Sequence, residues 1–83
     1  MLERSMETRV GDYLAVTPDI CGGQPCFKGT RILVHLILEM LAAGETVEDI
    51  LQDYPSLTPV HIRAALLYAA KTVEVGKLAA LVQ

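Results

Sequence analysis

The sequence predicts a mainly α domain: a three-helix bundle with a helix-turn-helix, preceded by a short β arm or hairpin. Three observations predict it. Before residue 32 the chain alternates short β-prone runs with Gly- and Pro-bearing turn signals. Beyond that point apolar residues recur at helical spacing. Thr46 and Thr58 stand where helices would begin, and Gly44 and Pro55 where they would end. Eighty-three residues leave room for one core, and a chain that is 52% apolar and 20% charged can fill it, which excludes disorder for most of its length. Residues 1–9 read as a flexible polar arm, 10–72 as the single domain, and 73–83 as an apolar tail or short helix.

Within the β arm, Tyr13-Leu14-Ala15-Val16 is a short β-prone run stopped by Thr17-Pro18-Asp19, where Pro18 presets φ for a turn. The adjacent Gly22 and Gly23 predict a tight reversal at positive φ. Cys26-Phe27 follows as a very short strand, Lys28-Gly29 as a turn, and Thr30-Arg31-Ile32 as a second extended piece. Strands this short need partners. They are expected to pair with residues 13–16 or, as the preferred reading, with a second copy of the chain.

The helical part is more strongly patterned. Leu33, Leu36, Ile37, Met40 and Leu41 make a core-facing stripe, and Gly44 ends the helix. Val34 and Leu38 add a second apolar stripe, leaving His35, Glu39 and Ala42 for water. Thr46 caps the next helix, with Glu48 and Asp49 in its first turn and Val47, Ile50 and Leu51 inward; Tyr54-Pro55 closes it. Thr58 and Pro59 start the third, with Ile62, Ala65, Leu66 and Ala69 on one face and Val60, Arg63, Leu67 and Lys71 on the other.

Charge and chemistry narrow the function. Seven basic residues against ten acidic ones leave a net charge of −3, and the bases are scattered along the chain. Strong DNA binding by a lone copy is therefore disfavoured. The apolar run 32–43 is broken by His35 and Glu39 and falls short of the roughly 20 residues that span a bilayer. No secretory signal marks residues 1–8, so a cytoplasmic chain is expected. Cys21 and Cys26 lack the further ligands that a metal site needs, and they are expected to be reduced structural thiols with nothing local to activate them. Gly22-Gly23 and Gly29-Thr30-Arg31 have the wrong spacing for a phosphate loop. His35 and His61 sit on separate helices without a ligand cluster. Neither catalysis nor a cofactor is expected.

Residues 46–68 have the layout of a helix-turn-helix. Pro59, Val60 and His61 would occupy the turn that usually reads bases, and they are poor readers. The candidate DNA contacts are Thr58, His61, Arg63 and Lys71, with Arg63 the best placed for a phosphate or a guanine. Arg31 has two readings: pairing with Asp19 or Glu39, which is favoured, or facing an anionic partner. One small core cannot hide both stripes of the first helix, so association is expected. Its candidate residues are Arg31, Val34, Leu38, Val75, Leu78, Leu81 and Val82.

The run from Ile20 through Cys-Gly-Gly-Gln-Pro-Cys-Phe-Lys-Gly-Thr-Arg-Ile-Leu to Val34 resembles a specific family. So do Leu41-Ala-Ala-Gly44, Ile50-Leu-Gln-Asp-Tyr-Pro55, Leu57-Thr58 and Ile62-Arg-Ala-Ala-Leu-Leu-Tyr-Ala69. Together they resemble the domain-of-unknown-function family 433, small prokaryotic proteins related to VapB-type antitoxins. That resemblance implies a homeodomain-like three-helix fold behind a β arm, often as a homodimer. It implies the antitoxin of a type II toxin–antitoxin pair, whose partner is a PIN-like ribonuclease toxin and which contributes weakly to operator DNA binding. Residues 58–68 would be the recognition helix, and no catalytic residue carries over. Occlusion of the toxin is expected to involve the tail, 73–82, with Arg63 or Arg31 reaching a carboxylate-lined pocket. Two other readings stay open: a stand-alone transcriptional regulator, and a dimerisation module that binds no DNA.

Overall fold

The structure, a computed structural model, describes residues 9–74. The order of elements is α1 (Val10–Tyr13), β1 (Leu14–Ala15), a 3-10 turn (Cys21–Gly23), β2 (Cys26–Phe27), α2 (Val34–Ala42), α3 (Val47–Asp53) and α4 (Pro59–Thr72). The chain is mainly helical, with a two-stranded antiparallel hairpin ahead of the three longer helices.

The hairpin pairs within one copy. Leu14 faces Phe27 and Ala15 faces Cys26, and the Lys28 N–H donates to the Tyr13 carbonyl at 2.8 Å. A second copy is therefore not required to complete these strands, contrary to the preferred reading of the sequence. The turn expected at Lys28-Gly29 is present; the piece expected at residues 30–32 forms no strand, but its end pairs back on β2, the Ile32 carbonyl accepting from the Phe27 N–H at 3.0 Å. Thr30 Oγ1 donates to the Phe27 carbonyl (2.8 Å) and accepts from the Ile32 N–H (3.0 Å), which folds the chain back so that Leu33 bridges Cys26. The single turn of α1 was not anticipated, because four residues are too few to display a helical period.

Positive φ concentrates where the sequence placed its reversal, at Cys21 (55°), Gly22 (63°) and Gly23 (83°). Glycine enters this region at little cost. Cys21 carries a side chain there and is the non-glycine residue with positive φ among those described. Gly44, at φ 96°, ends α2 as expected, and the Glu45 N–H reaches back to the Met40 carbonyl at 3.1 Å. Thr46 caps α3 by accepting from the Asp49 N–H at 3.1 Å.

Phe27, Val34, Ile37 and Ile50 are the largest fully buried side chains, and Leu57, Ile62, Ala64 and Ala65 complete the centre. This corrects the phase of α2. The residues of α2 that face the core are Val34, Ile37, Leu38, Met40 and Leu41, so Ile37, Met40 and Leu41 stand where the spacing put them, while Leu33 and Leu36 are half-buried outside the central cluster. Val34 is 1% exposed and belongs to the interior, not to a partner surface, and Leu38 packs against the same core. The reason is that α2 contacts both α3 and α4. A helix flanked on two sides buries a wider arc than one packed on a single neighbour.

Candidate functional site

The outward face of α4 carries the candidate site. Its N-terminus is fixed by its own residues: the Thr58 N–H donates to His61 Nδ1 at 3.0 Å, and Thr58 Oγ1 lies 3.0 Å from the same nitrogen. This is the return half of a capping box, with histidine in place of the usual Glu or Gln. The His61 ring meets Tyr13 edge-on at 5.3 Å and Phe27 at 5.8 Å. It therefore fastens the α1–β1 arm and β2 to the start of α4. Thr58 and His61 direct their polar atoms to the helix start. Of the four residues proposed for DNA contact, Arg63 and Lys71 remain as exposed cations, and Lys71 lies 3.5 Å from Glu74.

Past the cap, Ile62 and Ala65 turn inward, and Ala64 is buried as well. Leu66 does not follow them. It is 50% exposed, with Leu67 at 38% and Val73 at 47%. Leu66, Ala70 and Val73 recur at i, i+4 and i+7, one line along the helix, with Arg63 and Leu67 beside it. The sequence alone placed Leu66 in the core, and that is corrected; Val60, Arg63, Leu67 and Lys71, set on the other face by their spacing, are exposed. The missed signal lay in Ala64: its burial sets the inward arc of α4 at Ile62, Ala64 and Ala65 and leaves Leu66 outside it.

Electrostatics around α4 are mixed. α3 carries Glu48, Asp49 and Asp53 and no basic residue. In a helix-turn-helix this element would cross the phosphate backbone, where carboxylates repel. Arg31 is exposed, at the edge of a shallow depression of about 450 Å3 lined by Ile20, Gly29, Thr30 and Arg31. The expected pairing with Glu39 is not formed, because Glu39 instead lies 3.4 Å from His35 one turn earlier on α2. Asp19 likewise forms no ion pair with Arg31 among the described residues. Arg31 does act on Cys26: its positive charge opposes the effects of burial and of the neighbouring Cys21, which together push the Cys26 thiol up. Among the described residues, no cluster of three or more His, Cys, Asp or Glu stands ready for a metal, and no helix is long and apolar enough to cross a membrane. The tail candidates Val75, Leu78, Leu81 and Val82 lie outside the described residues.

Uncharacterized protein y4eO of Sinorhizobium fredii (strain NBRC 101917 / NGR234) is 45% identical over 58 residues, 70% of this chain and 26% of that protein. This chain thus spans about a quarter of the relative's length. No solved structure matches. Residues 14–69 match the family described as Protein of unknown function (DUF433), from the first strand of the hairpin to the third turn of α4. With more than half of its length matched, and the whole buried core inside the match, the chain belongs to the DUF433 family.

Proposed function

We propose that this chain is a protein-binding module of the antitoxin type, which forms homodimers and neutralises a PIN-like ribonuclease by covering its active site. The observation that carries the reading is the free face of α4, where Leu66, Leu67 and Val73 stand exposed beside Arg63. An apolar line flanked by a guanidinium suits a protein surface next to a carboxylate-lined pocket: the leucines supply desolvation, and the arginine supplies a charge-assisted contact. The same face suits DNA poorly, since phosphates reward clustered cations and not leucine.

The test is binding between the purified chain and a nuclease encoded beside it, measured by calorimetry and by inhibition of RNA cleavage. Leu66→Asp combined with Leu67→Asp is expected to weaken binding at least tenfold, about 1.4 kcal/mol or more, and Arg63→Ala to weaken it less. Unchanged affinity in the double variant would overturn the assignment of the face. A chain ending at Thr72 separates the roles of α4 and the tail: retained neutralisation places the contact on α4 alone.

Contribution to operator DNA is the secondary reading. It is favoured by the layout of α3 and α4, two helices joined by residues 54–58 with a threonine at the start of each. In this reading α4 is the recognition helix of a homeodomain-like unit, with Arg63 as its phosphate or base contact. The carboxylates of α3 make the binding conditional on a partner's positive charge. A steep salt dependence that appears only with the nuclease present is the expected result.

A further inference from the structure

The outward face of α4 complements its own reverse. Arg63, Leu66, Ala70 and Val73 follow one another at i, i+3, i+7 and i+10, the spacing of a seam between two helices, with Leu67 and Glu74 beside it. All six are exposed, and Val73 still holds helical backbone angles (φ −67°, ψ −39°), so the seam runs unbroken from Arg63 towards Glu74. Its two ends differ in sign. Arg63 makes no ion pair among the described residues, and Glu74 lies 3.5 Å from Lys71 on the surface. The middle differs in size, because Leu66 and Leu67 are bulky and Ala70, one turn on, is small.

We propose that two copies of this chain pair along this face, their α4 helices antiparallel, with a two-fold axis crossing near residue 68. An axis there sets Arg63 of each copy against Val73 and Glu74 of the other, and Leu66 and Leu67 against Ala70 and Lys71. The leucines fill the space over Ala70 and cover the Lys71 stem, whose ammonium stays in water. Symmetry repeats the arrangement, so both ends close as Arg63–Glu74 pairs. Parallel helices would instead set Arg63 against Arg63 and Glu74 against Glu74, where like charges repel. Exposed ion pairs are worth little by themselves. The charges therefore choose direction and register, while burial of the leucines supplies the affinity. A carboxylate-lined pocket complements only the Arg63 end, and phosphates are repelled by Glu74; a second copy satisfies both ends. A single helix contact is small beside the roughly 800 Å2 per partner of a standard interface, so the dimer is weak and exchangeable. The proposal rests on the reading of this face as a protein-binding surface and adds its regulation. Pairing covers Leu66 and Leu67, so the dimer is a closed form that the nuclease opens by taking one copy.

The experiment is sedimentation equilibrium of the full chain over a range of concentrations at low salt, with circular dichroism as the check on folding. Wild type is expected to pass from monomer to dimer and no further. Arg63→Glu and Glu74→Arg each turn two attractive contacts into two repulsive ones, and each is expected to raise the dissociation constant about tenfold. The combined variant restores opposite charges at both ends and is expected to return to the wild-type constant. Mixing the two single variants is expected to give a heterodimer tighter than either homodimer. Both positions are exposed, so the fold is expected to be kept. A monomeric wild type, assembly beyond the dimer, or a combined variant as weak as the single ones would overturn the proposal. Calorimetry with the nuclease encoded beside the chain reads the regulation. Glu74→Arg, which leaves Arg63 and the leucines in place, is expected to bind it at least as tightly as wild type; weaker binding would overturn the closed form. Failure of the charge swaps with nuclease binding retained sinks the pairing and leaves the protein-binding reading standing. Swaps that behave as expected, with nuclease binding untouched by Leu66→Asp and Leu67→Asp together, sink the nuclease reading and leave the pairing.

Discussion

At the scale of single residues, Phe27 is the side chain on which the arm and the bundle meet. It is fully buried, pairs with Leu14 across the hairpin and touches the His61 ring on α4. Phe27→Ala is expected to cost about 3–5 kcal/mol, a large part of what a domain this small can hold, and urea denaturation would measure it. Cys26 makes a second, pH-dependent prediction. Burial, with Cys21 beside it, pushes its thiol up, so the folded chain keeps a proton that the unfolded chain has already released. Stability is then fully present below the ordinary thiol range and declines as pH rises through it towards the raised folded value. Under reducing conditions the urea midpoint of wild type should fall in alkaline solution more than that of Cys26→Ala. Equal slopes would contradict this.

The elements are held by their ends as much as by their faces. α3 has seven residues and only Ile50 fully buried, so its cap matters: Thr46→Ala removes the bond to the Asp49 N–H and should cost about 1 kcal/mol. Gly44 holds φ 96° with nothing within 4 Å of where a Cβ would stand. Gly44→Ala therefore meets no steric neighbour, and its cost is that of the left-handed backbone alone, about 1–2 kcal/mol. Thermal unfolding of both variants is the check. These caps and stops were legible in the sequence because each depends on one residue type at one position. The phase of α2 was not, since its apolar residues cover two sides and periodicity alone cannot say which side meets α3 and α4. Leu66 illustrates the same limit on α4: its spacing from Ile62 is helical, but exposure is decided by the approach of other elements.

For the molecule as a whole, the question is where apolar surface is left uncovered. α2 does not supply it through Val34 and Leu38, because Val34 is buried and Leu38 packs against the core. α4 does, through Leu66, Leu67 and Val73. If self-association uses this face, Leu66→Asp with Leu67→Asp should lower the sedimentation-derived association constant while the helical dichroism is kept. Loss of the dichroism would instead mean that the two leucines are structural. Both side chains are more than one-third exposed, so the fold is expected to survive.

Composition, caps, turn residues and helical spacing by themselves determined that this chain builds a short hairpin and three helices, where α2 ends, and where α3 and α4 begin. These are local matters, settled within a few residues by backbone sterics and hydrogen bonding. Only the tertiary structure decided that the hairpin closes within one copy, that Val34 is interior and Leu66 is not, and that His61 serves a helix cap. Each of these depends on which surfaces come together. The free energy of burial is non-directional, so the pattern of apolar residues constrains that choice without specifying it.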